Sequence, residues 1–294
     1  MLYLGCPAWG LKSWVGSFLP AGCKQRDFLA HYSRNLNTVE GNTTFYALPD
    51  RATTTRWRDE TPPGFKFCLK VPQSISHHKK LRGCEAELAE FADRLALLGD
   101  RCGPAFLQLP PTFTARQLTD LRHFLQLWRS TCGLAVEPRH SDFFDGASHE
   151  HDFNTLLTEF GAARCVFDTT ALFSVDKSYD TWVSEAQNKK PKFALRHTRT
   201  GSFAFVRYVS HPNMQANETW LSTWASKVID WLSKGDDVYF FIHHPNDHFA
   251  PQVIRIFHHM ISQRAASHVA LPALPHWGNE DTHTHEKSLQ EKLF

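Results

Sequence analysis

The sequence predicts an α/β fold built as a single (β/α)₈ TIM-type barrel, and three observations carry that expectation. Short runs rich in β-branched and aromatic residues alternate with stretches of helical spacing along the chain, about eight times over. Runs such as CVFD, AFLQLP and VYFFIHH show little polar alternation before their C-terminal ends, as expected for strands covered by helices on both faces. The turn after the first run, GCPAWG, lacks the GxGxxG phosphate cradle that an open doubly wound sheet usually brings.

In chain order, Leu2–Cys6 reads as the first strand, and Phe28–Asn35 has the apolar spacing of the helix that follows it. Leu36–Glu40 and the helical Arg51–Glu60 form the second unit. Phe65–Val71 with Glu85–Leu98 forms the third, and Ala105–Leu109 with Ala115–Arg129 the fourth. Gly133–Glu137 precedes Asp152–Phe160, and Arg164–Asp168 precedes Tyr179–Gln187. Ala204–Tyr208 with Thr219–Leu232 and Val238–His243 with Gln252–Gln263 complete the count. Strands alternating with helices imply parallel pairing through right-handed crossovers.

At 294 residues and 33.7 kDa the chain is long enough to bury a sizeable core. No linker or repeat divides it, so residues 1–274 read as one domain and residues 275–294, which turn polar, as a loosely held tail. The net charge of +2 gives no global basic field, so composition does not advertise nucleic acid or an acidic membrane. The start, MLYLGCPAWG, has neither a basic leader nor a long apolar core, and no run approaches a membrane span. The seven cysteines are scattered without a CxxC pair, which fits a reducing cytoplasm better than a disulfide framework. Oligomeric state has no signature here.

A barrel of this kind gathers its chemistry at the C-terminal strand ends. The polar residues there are Glu40 and Asn42 after strand two, Lys70 and then His77 after strand three, and Gln108 after strand four. Strand five supplies Glu137, Arg139 and His140, strand six Asp168, strand seven Arg207, and strand eight His243 and His244. Those two histidines are adjacent, so at most one faces the site while strand geometry persists.

The runs NTVEGNTTFYALP, FKFCLKVPQSISHHKKL, GPAFLQLPPTF, LAVEPRHSDFF and CVFDTT, in this order from about Leu2 to Pro251, resemble the successive motifs of the YecE-like family, domain of unknown function 72. The resemblance implies a (β/α)₈ barrel and no established activity. Its motifs fall on Glu40, Asn42, Thr44, Phe45 and Tyr46; on Lys70, His77 and Lys79; on Gln108; on Glu137, Arg139 and His140; and on Asp168. The chain departs from the family pattern after strand seven, where Arg207–Ser210 lacks the usual histidine, and at His243–His244, where paired asparagines are common.

Paired carboxylates in different environments suit acid/base work, so Glu40 and Glu137 are expected in those roles, with Asp168 and His140 orienting them. Asn42, Tyr46, Lys70, His77, Gln108, Arg139, Arg207 and His243 are expected to bind substrate, the guanidinium groups matching phosphate or carboxylate. The loops SHPN and HHPND, after strands seven and eight, are where barrels often hold a phosphate. The plainer alternative is a structural ion pair, Glu137 with Arg207 or Glu40 with Lys70. Three readings stay open: a hydrolase or lyase on a small anionic or phosphorylated substrate, a metal-dependent phosphodiesterase on nucleic acid, and a non-catalytic binder of a small anion. No HxH or HExxH spacing marks a metal site, although ligands drawn from separate strands would leave none.

Overall fold

The computed structural model describes residues 1–129, 131–266 and 269–277. Its strands are β1 (Leu2–Gly5), β2 (Thr38–Gly41), β3 (Lys66–Leu69), β4 (Ala105–Gln108), β5 (Leu134–Glu137), β6 (Ala163–Asp168), β7 (Phe203–Val209) and β8 (Asp237–His243). The helices are α1 (Phe28–Asn35), the single turn α2 (Thr43–Tyr46), α3 (Arg51–Asp59), α4 (Glu85–Leu97), α5 (Leu118–Trp128), α6 (Ser148–Glu159), α7 (Thr181–Lys189), α8 (Asn217–Ser233) and α9 (Ala250–Arg264). Helix α6 starts before the predicted Asp152 because Asp145 Oδ1 accepts the Ala147 and Glu150 N–H groups, capping an earlier first turn.

The expected closed eight-stranded barrel is not what these strands form. One curled, open sheet of six parallel strands runs in the order β1-β8-β7-β6-β5-β4, and β2 and β3 pair with each other in a separate two-stranded sheet. Both seams have local causes. Between β1 and β2 the Asn37 side chain takes the backbone groups that a ladder would use: its Oδ1 accepts the Leu4 N–H at 2.8 Å and its Nδ2 donates to Leu2 O at 2.8 Å. Gly5 permits this close approach, since a Cβ there would lie 2.4 Å from Thr38 O. Between β3 and β4 only isolated bridges remain, Phe67 with Cys102 and Lys70 with Phe106. The Gly103 N–H bonds Phe67 O on the β3 side, whereas the Ala105 N–H, two residues on, bonds Gly133 O on the β5 side. The alternation of the strand is therefore broken at Pro104, which has no N–H of its own.

The main apolar cluster fills the space between strands and helices, joining residues such as Leu4, Val39, Leu107, Val206 and Phe240 to Phe91, Phe124, Trp224 and Phe257. A second, smaller cluster lines the concave face with Cys68, Phe106, Ala135, Cys165, Phe205 and Phe241. At the start of the predicted tail, Trp277 stands edge-on to Phe18, 5.2 Å between ring centroids, and its carbonyl accepts from Arg255 Nη2 at 2.7 Å. Residues 278–294 of that tail lie outside the described residues. Among the described residues no helix is long and apolar enough to cross a membrane.

Candidate functional site

The second apolar cluster ends in charge. Side chains alternate along each strand, so the positions that follow Phe205, Ala135, Phe106, Cys68 and Phe241 on the concave face are Arg207, Glu137, Gln108, Lys70 and His243. Thr38 and Glu40 occupy the corresponding face of β2. All of these side chains are buried or nearly so; Glu40 and Glu137 are 0% exposed, Arg207 is 6% and Lys70 is 8%.

Arg207 is the hub. Its Nε donates to Glu40 Oε2 at 2.7 Å, its Nη2 to Glu40 Oε1 at 2.8 Å, and its Nη1 to Glu137 Oε2 at 2.6 Å. This fork–fork arrangement on Glu40 is the strongest geometry available to a guanidinium. Glu137 also accepts from Arg139 Nε through Oε1. Asn42 Nδ2 donates to Glu40 Oε1 at 2.7 Å, and His243 Nε2 lies 3.2 Å from Glu40 Oε2. Arg207 and Arg139 lie over the Phe167 ring, and Arg207 also over Phe106, so the cations are seated on apolar rings.

Burial pushes the Glu40 carboxyl up, but Arg207 and His243 outweigh it and hold the group well below the usual carboxylate range. Glu137 follows the same pattern, with Arg139 and Arg207 overcoming burial. Both are therefore ionised at neutral pH, and neither has a proton to give as a general acid. Burial also works against the charge of Arg207, and Glu137 and Glu40 more than restore it.

Lys70 stands apart. Its Nζ donates to Gln108 Oε1 at 3.0 Å, lies 3.8 Å from the Phe45 ring centroid, and has no carboxylate in ion-pair range among the described residues. Burial, reinforced by Arg207, lowers its pKa to about 8. The same Gln108 oxygen accepts from Arg139 Nη2 at 3.3 Å, so it joins the two cations. His77 stands edge-on to Phe45 and pairs its Nδ1 with Ser76 Oγ at 2.9 Å; burial and then Lys70 lower its pKa to about 4, leaving it neutral.

Other expected site residues lie elsewhere. Asp168 turns to the helix layer, where Oδ2 accepts from Trp224 Nε1 at 2.7 Å and Oδ1 from Thr170. His140 caps the turn at Ser141–Phe144, its Nδ1 accepting the Asp142 N–H. Neither orients Glu40 or Glu137. Tyr46 is 74% exposed, edge-on to Phe45 at the rim. His244, as its parity requires, faces away and bonds Pro212 O. The loops after β7 and β8 have most of their N–H groups already taken, which argues against a phosphate cradle there. His211 N–H goes to Asn217 Oδ1, Asn213 N–H to His211 Nδ1, His244 N–H to Asp247 Oδ1, and Asn246 N–H to His244 Nδ1. His211 stacks on Trp220.

One cation escaped the sequence reading. Lys190, just after α7, has its pKa lowered by burial, and it feels Asp247, Arg207, Arg139 and Glu40. It makes no ion pair or side-chain hydrogen bond among the described residues. Its signal was the basic run NKKPKF ahead of strand seven. Among the described residues, no three His, Cys, Asp or Glu side chains gather in a cluster able to hold a metal. Two clefts lie elsewhere, one lined by Trp9, Leu29 and Trp57 and one by Leu118, Arg122 and Leu156.

Several known proteins are similar to this chain. UPF0759 protein YecE of Escherichia coli K12 is 32% identical over 275 residues, spanning 94% of this chain and 98% of that protein. UPF0759 protein YunF of Bacillus subtilis strain 168 is 30% identical over 240 residues, spanning 75% and 82%. Crystal structures of DUF72 family proteins from Enterococcus faecalis V583 and Thermotoga maritima MSB8 share the fold, with TM-scores of 0.68 and 0.67 at 15% and 21% identity. They cover 94% and 89% of this chain and 100% and 99% of their own. The family model described as protein of unknown function DUF72 matches residues 3–277, and the chain belongs to that family, the YecE-like proteins.

Proposed function

We propose that the cluster at the strand ends binds a small anionic or phosphorylated molecule and carries a hydrolase- or lyase-type reaction on it. Lys70, Arg139 and Lys190 supply the charge, and the Lys70 amine moves the proton. The observation that carries this reading is the state of Lys70: a nearly buried amine with a pKa of about 8, held by one amide oxygen, that feels Arg207, Glu137, Glu40 and Arg139 but has no carboxylate in ion-pair range among the described residues. An amine in that condition gains from an incoming anion and, once deprotonated, is a usable base near neutral pH. Glu40 and Glu137 change role. They fix and neutralise Arg207 rather than act as the acid/base pair, because both remain ionised.

The metal-dependent phosphodiesterase reading fits poorly, since every carboxylate oxygen in the cluster already accepts a hydrogen bond from a guanidinium. Those same commitments favour the non-catalytic anion binder as the second reading. A cytoplasmic setting goes with either one, since it would keep the seven free cysteines reduced. Calorimetric titration with sulfate, inorganic phosphate and small phosphomonoesters is the direct test. Binding is expected in the wild type and at least tenfold weaker in Lys70→Met, and no binding of any of these anions would overturn the proposal. Turnover of a bound ester then separates enzyme from binder.

A further inference from the structure

Phe45 is the centre of a three-ring corner beside Lys70. The Lys70 ammonium lies over its face, 3.8 Å from the centroid, while Tyr46 and His77 stand edge-on to it with their centroids 5.1 Å and 5.0 Å away. Separate devices hold the two outer rings. The turn that carries Phe45 and Tyr46 is pinned to the backbone of Lys70 itself, since Thr44 Oγ1 donates to Lys70 O at 2.6 Å and lies 3.1 Å from Gly41 O. His77 sits in a π-type turn, Ser74–His78, closed by the Lys79 N–H on Ser74 O at 3.0 Å. The chain leaves that turn through Lys80 and Leu81, both at positive φ, 49° and 71°. Left-handed backbone at a buried leucine is strained, and such strain gathers where ligands are clamped.

Tyr46 is the member of the corner with a surface to spare. Phe45 is 9% exposed, whereas Tyr46 at 74% is the most exposed of the large apolar side chains among the described residues. Its ring is nonetheless close to the amine. The two centroid distances place it no more than about 9 Å from Lys70 Nζ, a span that an anionic group with a ring one or two bonds away can fill. We propose that the anion bound at Lys70 carries a flat aromatic group and that Tyr46 is the specificity-determining residue, stacking on that group at the rim. This inference rests on the reading of the cluster as an anion site and names the class of anion it takes. A bare inorganic anion would leave the Tyr46 ring in water; an aryl group covers it while its charge stays on the amine.

The test is calorimetric titration of the full chain with sulfate and with methanesulfonate, phenylmethanesulfonate and cyclohexylmethanesulfonate, which neither titrate near neutral pH nor hydrolyse. Phenylmethanesulfonate is expected to bind at least about fivefold tighter than methanesulfonate and at least about twofold tighter than its saturated analogue, because stacking adds to apolar burial. Tyr46→Phe is expected to keep both ratios, and Tyr46→Ala to bring the ratio of phenylmethanesulfonate to methanesulfonate below about twofold. Equal binding of the phenyl and methyl compounds would overturn the inference, as would a cyclohexyl compound that binds as well as the phenyl one, or a preference that survives in Tyr46→Ala. Sulfate binding without preference for a ring would remove this inference alone, whereas failure of sulfate and all three sulfonates to bind would remove the anion site with it.

Discussion

Arg207 uses all three of its nitrogens inside one buried network, so the residues around it are coupled by charge rather than by packing alone. Replacing Glu40 with Gln leaves the guanidinium buried with half of its compensation, which costs about 3–5 kcal/mol; urea denaturation is expected to show that loss, and a change under 1 kcal/mol would deny Glu40 its structural part. Lys70 gives a different signature. Its pKa of about 8 lies below the ordinary lysine value of 10.5, and a bound anion favours the protonated form. Anion affinity is therefore full below pH 8 and falls as pH rises through that value, by up to about tenfold per unit. Sulfate, which does not titrate in this range, is the probe: calorimetry from pH 6.5 to 9.5 is expected to show this decline in the wild type and a flat, weak profile in Lys70→Met. A wild-type profile that is itself flat would remove Lys70 from the site. Asp168 is the instructive error among the residues read from sequence. Ala163 and Cys165 are concave-face residues, so Asp168, of opposite parity, had to face the helices, where Trp224 meets it. The parity argument that separates His243 from His244 was available for Asp168 as well.

At the scale of elements, strand positions were legible because buried parallel strands are continuous apolar runs, and each predicted run overlaps an observed strand. Whether neighbouring strands complete a ladder was not legible, because it turns on single side chains. Asn37 reads as an ordinary residue at the start of a strand, yet its amide replaces the β1–β2 ladder, and the phase break at Pro104 does the same between β3 and β4. Two substitutions probe the first seam. Asn37→Ala removes both amide bonds and is expected to cost about 1–3 kcal/mol. Gly5→Ala drives a methyl group into Thr38 O and is expected to cost a similar amount, about 1–3 kcal/mol, by overpacking. Thermal denaturation checks both; if Asn37→Ala were neutral, the seam would be held by packing, by the Glu40 N–H to Cys6 O bond at 3.1 Å, and by the Tyr32 hydroxyl, which accepts from the Cys6 N–H and donates to Thr38 O.

For the whole molecule, the site and the seam are one subject. Glu40 belongs to the two-stranded sheet, while Glu137, Arg207 and His243 belong to the six-stranded sheet, so the buried charge network spans the gap where backbone pairing fails. A site built from separated strands leaves no spacing motif in the sequence; of the two ion pairs that could be named from it, Glu137 with Arg207 forms, whereas Glu40 joins Arg207 and not Lys70. The network also sets the response to acid. Both carboxylates have folded pKa values below their unfolded reference of 4.5, so they contribute stability that is complete above that pH and is lost as pH falls through the depressed values. Protonating Glu40 weakens its bonds to Arg207 and cuts the tie between the sheets before either sheet itself is attacked. Hydrogen exchange between pH 5 and 2, expressed as protection relative to the unstructured chain, is expected to show Thr38–Gly41 and Lys66–Leu69 losing protection at higher pH than Phe203–Val209 and Asp237–His243. Loss of protection in all four strands at a single pH would mean that the sheets unfold as one unit and that the charge network is not what joins them.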